Sequence, residues 1–292
     1  MPEHGSPSVR RCRLAAELRR LRERAGFTGE QAAERLSWSG SKLSRIETSK
    51  SGVKEEDVRL LLELYRINEP HQSDVLTLAR ELTRTGPSVD DAAIASYQAG
   101  YGAFVDAEAE AIRLWNWEPQ VVPGLLQTES YAREVMRGWY SMFNLPPAEL
   151  EVQVEARMKR KQVLTRDQPL ELSVVIDESV IRRQFGDNIV MCQQLEQLAQ
   201  TSDKPNVDVR VLALGGDHPV ATGSFAYMQF SLEYEVPQPD VVYVEQLDNN
   251  LYIGDVTETN NYRVTFERLR AAALDPSQSR DLVVSTARQM WS

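Results

Sequence analysis

Cysteine and histidine are scarce. The 292 residues hold two cysteines, Cys12 and Cys192, and three histidines, His4, His71 and His218. The cysteines fall in different segments of the chain, which argues against a structural disulfide and fits a reducing compartment. No histidine stands at ligand spacing from another histidine or a cysteine, so no metal site is expected. Long apolar runs are missing too: nothing approaches the ~18 consecutive apolar residues of a membrane span. The stretch Met1–Ser8 is polar, contains Pro2, Gly5 and Pro7, and lacks the apolar core of a signal peptide. The expected location is therefore cytoplasmic, at the nucleoid if the chain binds DNA. Catalytic signatures are absent as well. No Gly-x-Ser-x-Gly, Walker loop or glycine-rich dinucleotide loop follows a strand-like segment. His218, in the loop-like Gly215-Gly216-Asp217-His218, has no visible nucleophile or orienting partner. The expectation is a chain that is not an enzyme and carries no cofactor.

What is present is an uneven distribution of charge. The net charge is −10, which taken alone argues against a nucleic-acid partner. Residues 1–66 nevertheless hold 14 Lys and Arg against 10 Asp and Glu, leaving 19 against 33 for the remaining 226. A basic head on an acidic body places phosphate affinity at one end, while the body repels phosphate and limits non-specific binding.

Length suggests two domains of the usual ~100–200 residues. Residues 1–8 are expected to be a disordered tail, 9–84 a helical domain, 85–91 a linker and 92–292 a second domain. In the head, Leu14, Ala15, Leu18, Leu21 and Ala25 share one face of a first helix whose other faces are crowded with arginines. Gly26 ends that helix. Thr28 with Gln31 forms a capping box that opens a second helix, and Ala32, Ala33, Leu36, Leu43 and Ile46 supply the inner angle between that helix and a third. The third helix turns Ser41, Lys42, Ser44 and Arg45 outward, a set of hydroxyls and cations suited to phosphate oxygens and base edges. Ser39 is placed to cap it and to reach phosphate. Glu47 opposes the dipole at the helix end, which a first-helix arginine partner would explain. Lys50, in the following loop, is a phosphate-contact candidate beside the plainer reading of a solvated lysine. Two more helices, about 54–65 and 71–83, complete the head.

The run Leu36-Ser37-Trp38-Ser39-Gly40-Ser41-Lys42-Leu43-Ser44-Arg45-Ile46-Glu47 closely resembles the core of the XRE, or lambda-repressor-like, helix-turn-helix family. The resemblance implies a five-helix bundle that binds double-stranded operator DNA, usually as a dimer, with the second helix of the motif in the major groove. It departs from the family at three positions. Gly29 stands where a phosphate-clamping Gln is frequent, Ser37 replaces the common turn Gly, and Gly40 weakens the start of the reading helix by ~1 kcal/mol relative to Ala. These departures bear on which bases are read more than on whether DNA is bound.

From residue 92 the pattern changes. A helical stretch to about 111 precedes Arg113–Glu118, a strand or extended corner. Helices follow over 129–140 and 147–165. Strands are expected at 170–176, 207–213, 223–230, 240–247 and 251–253. Shorter helices are placed at 177–183 and 187–201, and closing helices at 260–274 and 277–290. The fold class is α+β, a mixed β-sheet covered by helices. Trp115 and Trp117 read as core, Asp177 and Glu178 as a helix start, and the 157–161 basic cluster as a solvated face with an anion anchor as its rival. The segments Trp117–Thr128, Ala156-Arg157, Val175–Glu178 and Val241–Glu245 are similar to the domain that follows XRE heads in WhiJ-like actinobacterial developmental regulators. With the head, this likeness runs from about Arg10 to Ala287. It implies a transcription regulator, often described as antitoxin-like, encoded beside a small acidic partner protein.

Three functions are carried forward. The first is a sequence-specific transcription regulator, dimeric, whose second domain receives a partner or a small-molecule ligand. The second is an antitoxin-like protein that neutralises a small partner and binds DNA to regulate itself. The third is a small-molecule sensor enzyme.

Overall fold

The computed structural model describes residues 7–48, 52–84, 101–143, 146–231, 240–246 and 250–291. The expected linker at 85–91 and Lys50 lie outside the described residues. So do residues 1–6 of the expected tail, while Pro7 and Ser8 already belong to the first helix.

The helices of the head are α1 (Pro7–Arg24), α2 (Gly29–Arg35), α3 (Gly40–Glu47), α4 (Glu55–Leu64) and α5 (His71–Arg84). After them come α6 (Tyr101–Glu110), β1 (Arg113–Glu118), α7 (Glu129–Phe143), α8 (Pro147–Arg160), β2 (Glu171–Asp177), α9 (Glu178–Arg182) and α10 (Asn188–Thr201). The chain ends with β3 (Val207–Leu212), β4 (Phe225–Gln229), β5 (Val241–Val244), β6 (Leu251–Ile253), α11 (Val256–Ala272) and α12 (Pro276–Met290). The fold is α+β. The strands form one mixed six-stranded sheet in the order β3-β2-β1-β4-β5-β6. Among the described residues, no helix is long and apolar enough to cross a membrane.

Two compact units divide the chain, Met1–Glu110 with Met228–Asn260, and Ala111–Tyr227 with Asn261–Ser292. In the first, the head's core gathers Leu14, Leu18 and Leu21 of α1, Ala32 and Ala33 of α2, Leu43 and Ile46 of α3, and Val58, Leu61 and Leu62 of α4. Burying each of the larger side chains is worth about 1.5–3 kcal/mol. The helical periodicity predicted the members from α1, α2 and α3, and also Ala25, which is exposed. It lies past the end of α1, where the chain is already turning. There Gly26 takes φ +78° and the amides of Gly26 and Phe27 reach back to the carbonyls of Glu23 and Arg22 (3.0 and 3.2 Å), a closure that favours glycine. The same unit contains α6 and the antiparallel β5–β6 pair, in which Tyr243 lies opposite Tyr252. Tyr243 also stacks on Phe104 of α6 (4.3 Å between centroids).

In the second unit β1, β2 and β3 are parallel. The crossovers pass through α7 and α8, then α9 and α10, as parallel pairing demands. Leu172, Val174, Val175 and Ile176 of β2 are all buried, as the central strand of a parallel set requires. The β3 edge is covered by α12: Val211 donates to Ser279 Oγ (2.9 Å) and accepts from Leu274 (2.9 Å). Several boundaries differ from the sequence reading: the helix expected over 129–140 runs on to Phe143, and the strand expected over 240–247 spans Val241–Val244. The helix expected over 147–165 is α only to Arg160 and tightens into a 3₁₀ turn over Lys161–Leu164. The helix expected from 260 starts a turn earlier, because Asp255 accepts from the amides of Thr257 and Glu258 (2.9 and 3.1 Å) and supplies an N-terminal cap.

Candidate nucleic-acid interface

The reading helix α3 is fixed at both ends by local chemistry. Thr28 Oγ1 accepts from the Gln31 amide (3.2 Å) and Gln31 Oε1 accepts from the Thr28 amide (2.9 Å), so the capping box that opens α2 is formed. Beyond α2, Ser37 adopts φ 56°, with Ser37 N–H to Glu34 O (3.0 Å) and Trp38 N–H to Ala33 O (2.8 Å). The turn thus takes the left-handed residue that glycine usually supplies. Ser39 then caps α3, its Oγ accepting from the Lys42 amide (3.2 Å) and lying 3.1 Å from Ser41 Oγ.

From below, Leu43 and Ile46 seat α3 in the core. Glu47 binds Arg22 of α1 through two contacts, Nε to Oε1 (2.8 Å) and Nη2 to Oε2 (3.0 Å), with the side chains 10% and 8% exposed. Arg22 also donates to the Phe27 carbonyl (2.8 Å). The first-helix arginine expected for Glu47 is therefore Arg22. The pair satisfies both charges inside the bundle and ties α3 to α1.

The outward face is less uniform than the sequence suggested. Ser41, Ser44 and Arg45 are exposed, and among the described residues Arg45 forms no ion pair. Lys42 is half-buried. Its ammonium pairs with Asp57 of α4 (2.7 Å) and lies 3.7 Å from the centroid of the Trp38 ring. Lys42 is thus partly neutralised within the head, whereas Arg45 presents an uncompensated guanidinium. Sequence reasoning missed Asp57, for which there is no local signal. Trp38 stands four residues before Lys42, a spacing that was available but unused.

Thr28, Ser39, Ser41, Ser44 and Arg45 are all exposed. Beside them is a cleft of about 390 Å³ between the start of α2 (Gly29, Glu30), the outer side of α3 (Gly40, Ser44, Thr48) and Arg19 of α1. A Cβ at Gly29 or Gly40 would meet nothing within 4 Å, so nothing fills the cleft at those two lips. Arg19 pairs with Glu23 (3.1 Å) and with Asp255.

Other sequence-flagged residues have structural partners instead. Lys161 donates to the Gln127 carbonyl (2.9 Å) and Arg157 to Gln127 Oε1 (3.0 Å), so these members of the basic cluster fasten the 119–128 loop. Burial pushes the Lys161 ammonium below its ordinary pKa. Asp177 caps α9, and Glu178 accepts from the Leu214 amide (2.8 Å) while pairing with Arg182. Trp117 is buried and donates to the Thr222 carbonyl (3.2 Å), and Trp115 stacks between Tyr227 and Phe266. Among the described residues no group of three or more His, Cys, Asp or Glu is placed to hold a metal ion.

A family model described as a helix-turn-helix domain matches residues 13–76. It covers the capped α2–turn–α3 unit and the core beneath it, and such a domain supports a DNA-binding regulator. A second model, described as a domain of unknown function (DUF5753), matches residues 101–285. No curated protein and no solved structure matches the chain. The second match spans more than half of the sequence, and the chain belongs to the DUF5753 family, with a helix-turn-helix domain at its N-terminal end.

Proposed function

We infer that the protein is a sequence-specific transcription regulator of the XRE, lambda-repressor-like kind, with the WhiJ-like arrangement of a DNA-reading head and a second domain that receives a signal. The observation that carries this reading is the exposed Ser41, Ser44 and Arg45 face of a helix capped at Ser39 and tied to the core through Glu47 and Arg22. Arg45 pairs with a guanine edge or a phosphate, and the serines bond phosphate or base edges. Lys42, already held by Asp57 and Trp38, is a lesser contact. One head reads one half-site, so specific affinity requires a homodimer on a two-part operator. The second domain, with no catalytic role, supports dimerisation and receives a small acidic partner protein or a small molecule. The protein acts in the cytoplasm at the nucleoid.

Genome-wide DNA capture followed by footprinting tests the reading. Arg45→Ala should lose about 1–3 kcal/mol of discrimination at one operator position and keep wild-type helicity. Lys42→Ala should cost less. A footprint unchanged by Arg45→Ala, or equal losses for both variants, would count against it.

A further inference from the structure

The ion pair between Arg19 and Asp255 joins the two family matches. Arg19 belongs to the helix-turn-helix match and Asp255 to the DUF5753 match, 236 positions apart in sequence. Both residues lie in the same compact unit. The contact is closely seated. A Cβ at Gly254 would come 2.8 Å from Cys12 Cβ and 3.1 Å from its Sγ, so the chain before Asp255 is packed directly on α1. The carboxylate is also fixed. Asp255 Oδ1 accepts the Thr257 and Glu258 amides, and Oδ2 faces Arg19. The Asp255 side chain is 14% exposed and that of Arg19 is 40% exposed. The arginine therefore remains accessible to a partner from solvent, and it lines the same cleft as Ser44 on the outer side of α3.

We propose that Arg19 is a phosphate-binding residue of the DNA interface and that Asp255 competes with the operator backbone for it. A duplex strand passing Ser44 comes within reach of the Arg19 guanidinium, whose Nη1 is engaged by Asp255 and whose Nε is engaged by Glu23, so a phosphate oxygen competes with Asp255 for its charge. While Asp255 holds Arg19, the head has one fewer phosphate contact. A signal that moves the chain around Gly254 and Asp255 away from α1 releases that contact and tightens binding. The proposal rests on the DNA-binding reading above and names one route by which the DUF5753 region adjusts it.

The test uses the full-length chain and a random-sequence duplex, titrated across a range of salt. Each phosphate neutralised adds about 0.9 to the slope of log affinity against log salt. Asp255→Asn removes the competing charge and retains an acceptor for the helix cap. It should steepen the slope by about one unit, so that the ratio of affinities at 50 and 200 mM salt grows about 3.5-fold. The double variant Asp255→Asn with Arg19→Gln should return to the wild-type slope. Gly254→Ala, which forces the segment off Cys12, should move the slope in the same direction as Asp255→Asn, with helicity as the check on folding. A wild-type slope in Asp255→Asn would overturn the proposal. So would a double variant that keeps the gain, because the effect would then be only the loss of a distant negative charge. Wild-type protein that fails to bind duplex at all would instead overturn the DNA-binding reading itself.

Discussion

The Arg22–Glu47 pair offers the sharpest check on what holds the reading helix. Its side chains are 10% and 8% exposed and share two contacts of 2.8 and 3.0 Å, so neither charge has much water to fall back on. Replacing such a pair with apolar groups of similar volume is often neutral, but deleting one partner leaves a buried charge and costs about 3–5 kcal/mol. Glu47→Ala leaves Arg22 with the Phe27 carbonyl and, at 3.6 Å, the exposed Glu23 carboxylate, which water screens and which replaces little of the buried pair. The expected loss lies near that range. At about 1.36 kcal/mol per tenfold, it corresponds to roughly two to four decades of amide exchange protection in α1 and α3. Hydrogen exchange resolved by peptide is the right assay, because it reads the head separately from the remaining chain. The double variant Arg22→Met with Glu47→Leu should recover most of the lost protection. The reasoning fails if Glu47→Ala exchanges like wild type, or if the double variant is no better than Glu47→Ala alone.

Two further outcomes follow from the same head. Ser37 holds a left-handed conformation at φ 56°, so Ser37→Gly should stabilise the α2–α3 turn by about 1 kcal/mol, read as slower exchange in α2. Burial raises the Glu17 carboxyl, but hydrogen bonds from Arg20 and His71 outweigh it and leave its pKa below the ordinary 4.5. A depressed acid stabilises the fold above its unfolded pKa and loses that contribution as pH falls through the lower folded value. Glu17→Gln should therefore be less stable than wild type at neutral pH, with the gap in urea midpoint closing as pH falls below 4.5. A gap that persists unchanged in acid would show that the loss is one of packing.

The residues themselves determined the local parts of this protein. Thr28 with Gln31, Ser39 and Gly26 settle helix ends through hydrogen bonds spanning only a few positions. The spacing of Leu14, Leu18, Leu43, Ile46, Leu61 and Leu62 shows which faces turn inward, because a helix has a fixed period. Strand β6 was legible to the residue between Asn250 and Gly254. The presence of a buried partner for Glu47 could be expected, because an acid at a helix end opposes the dipole.

Tertiary structure alone decided the partners that lie far apart in sequence. Lys42 reads as an outward cation until folding brings Asp57 of the next helix against it. The basic cluster around Arg157 and Lys161 reads as a solvated face until the carbonyl and side chain of Gln127 arrive to accept its hydrogen bonds. Arg19 is one arginine among many on α1 until a residue 236 positions away takes its charge. The strand order likewise depends on which edges meet, and no periodicity carries that. Local rules act through backbone geometry that every chain shares, whereas the free charge on a surface depends on which carboxylate the fold sets beside it.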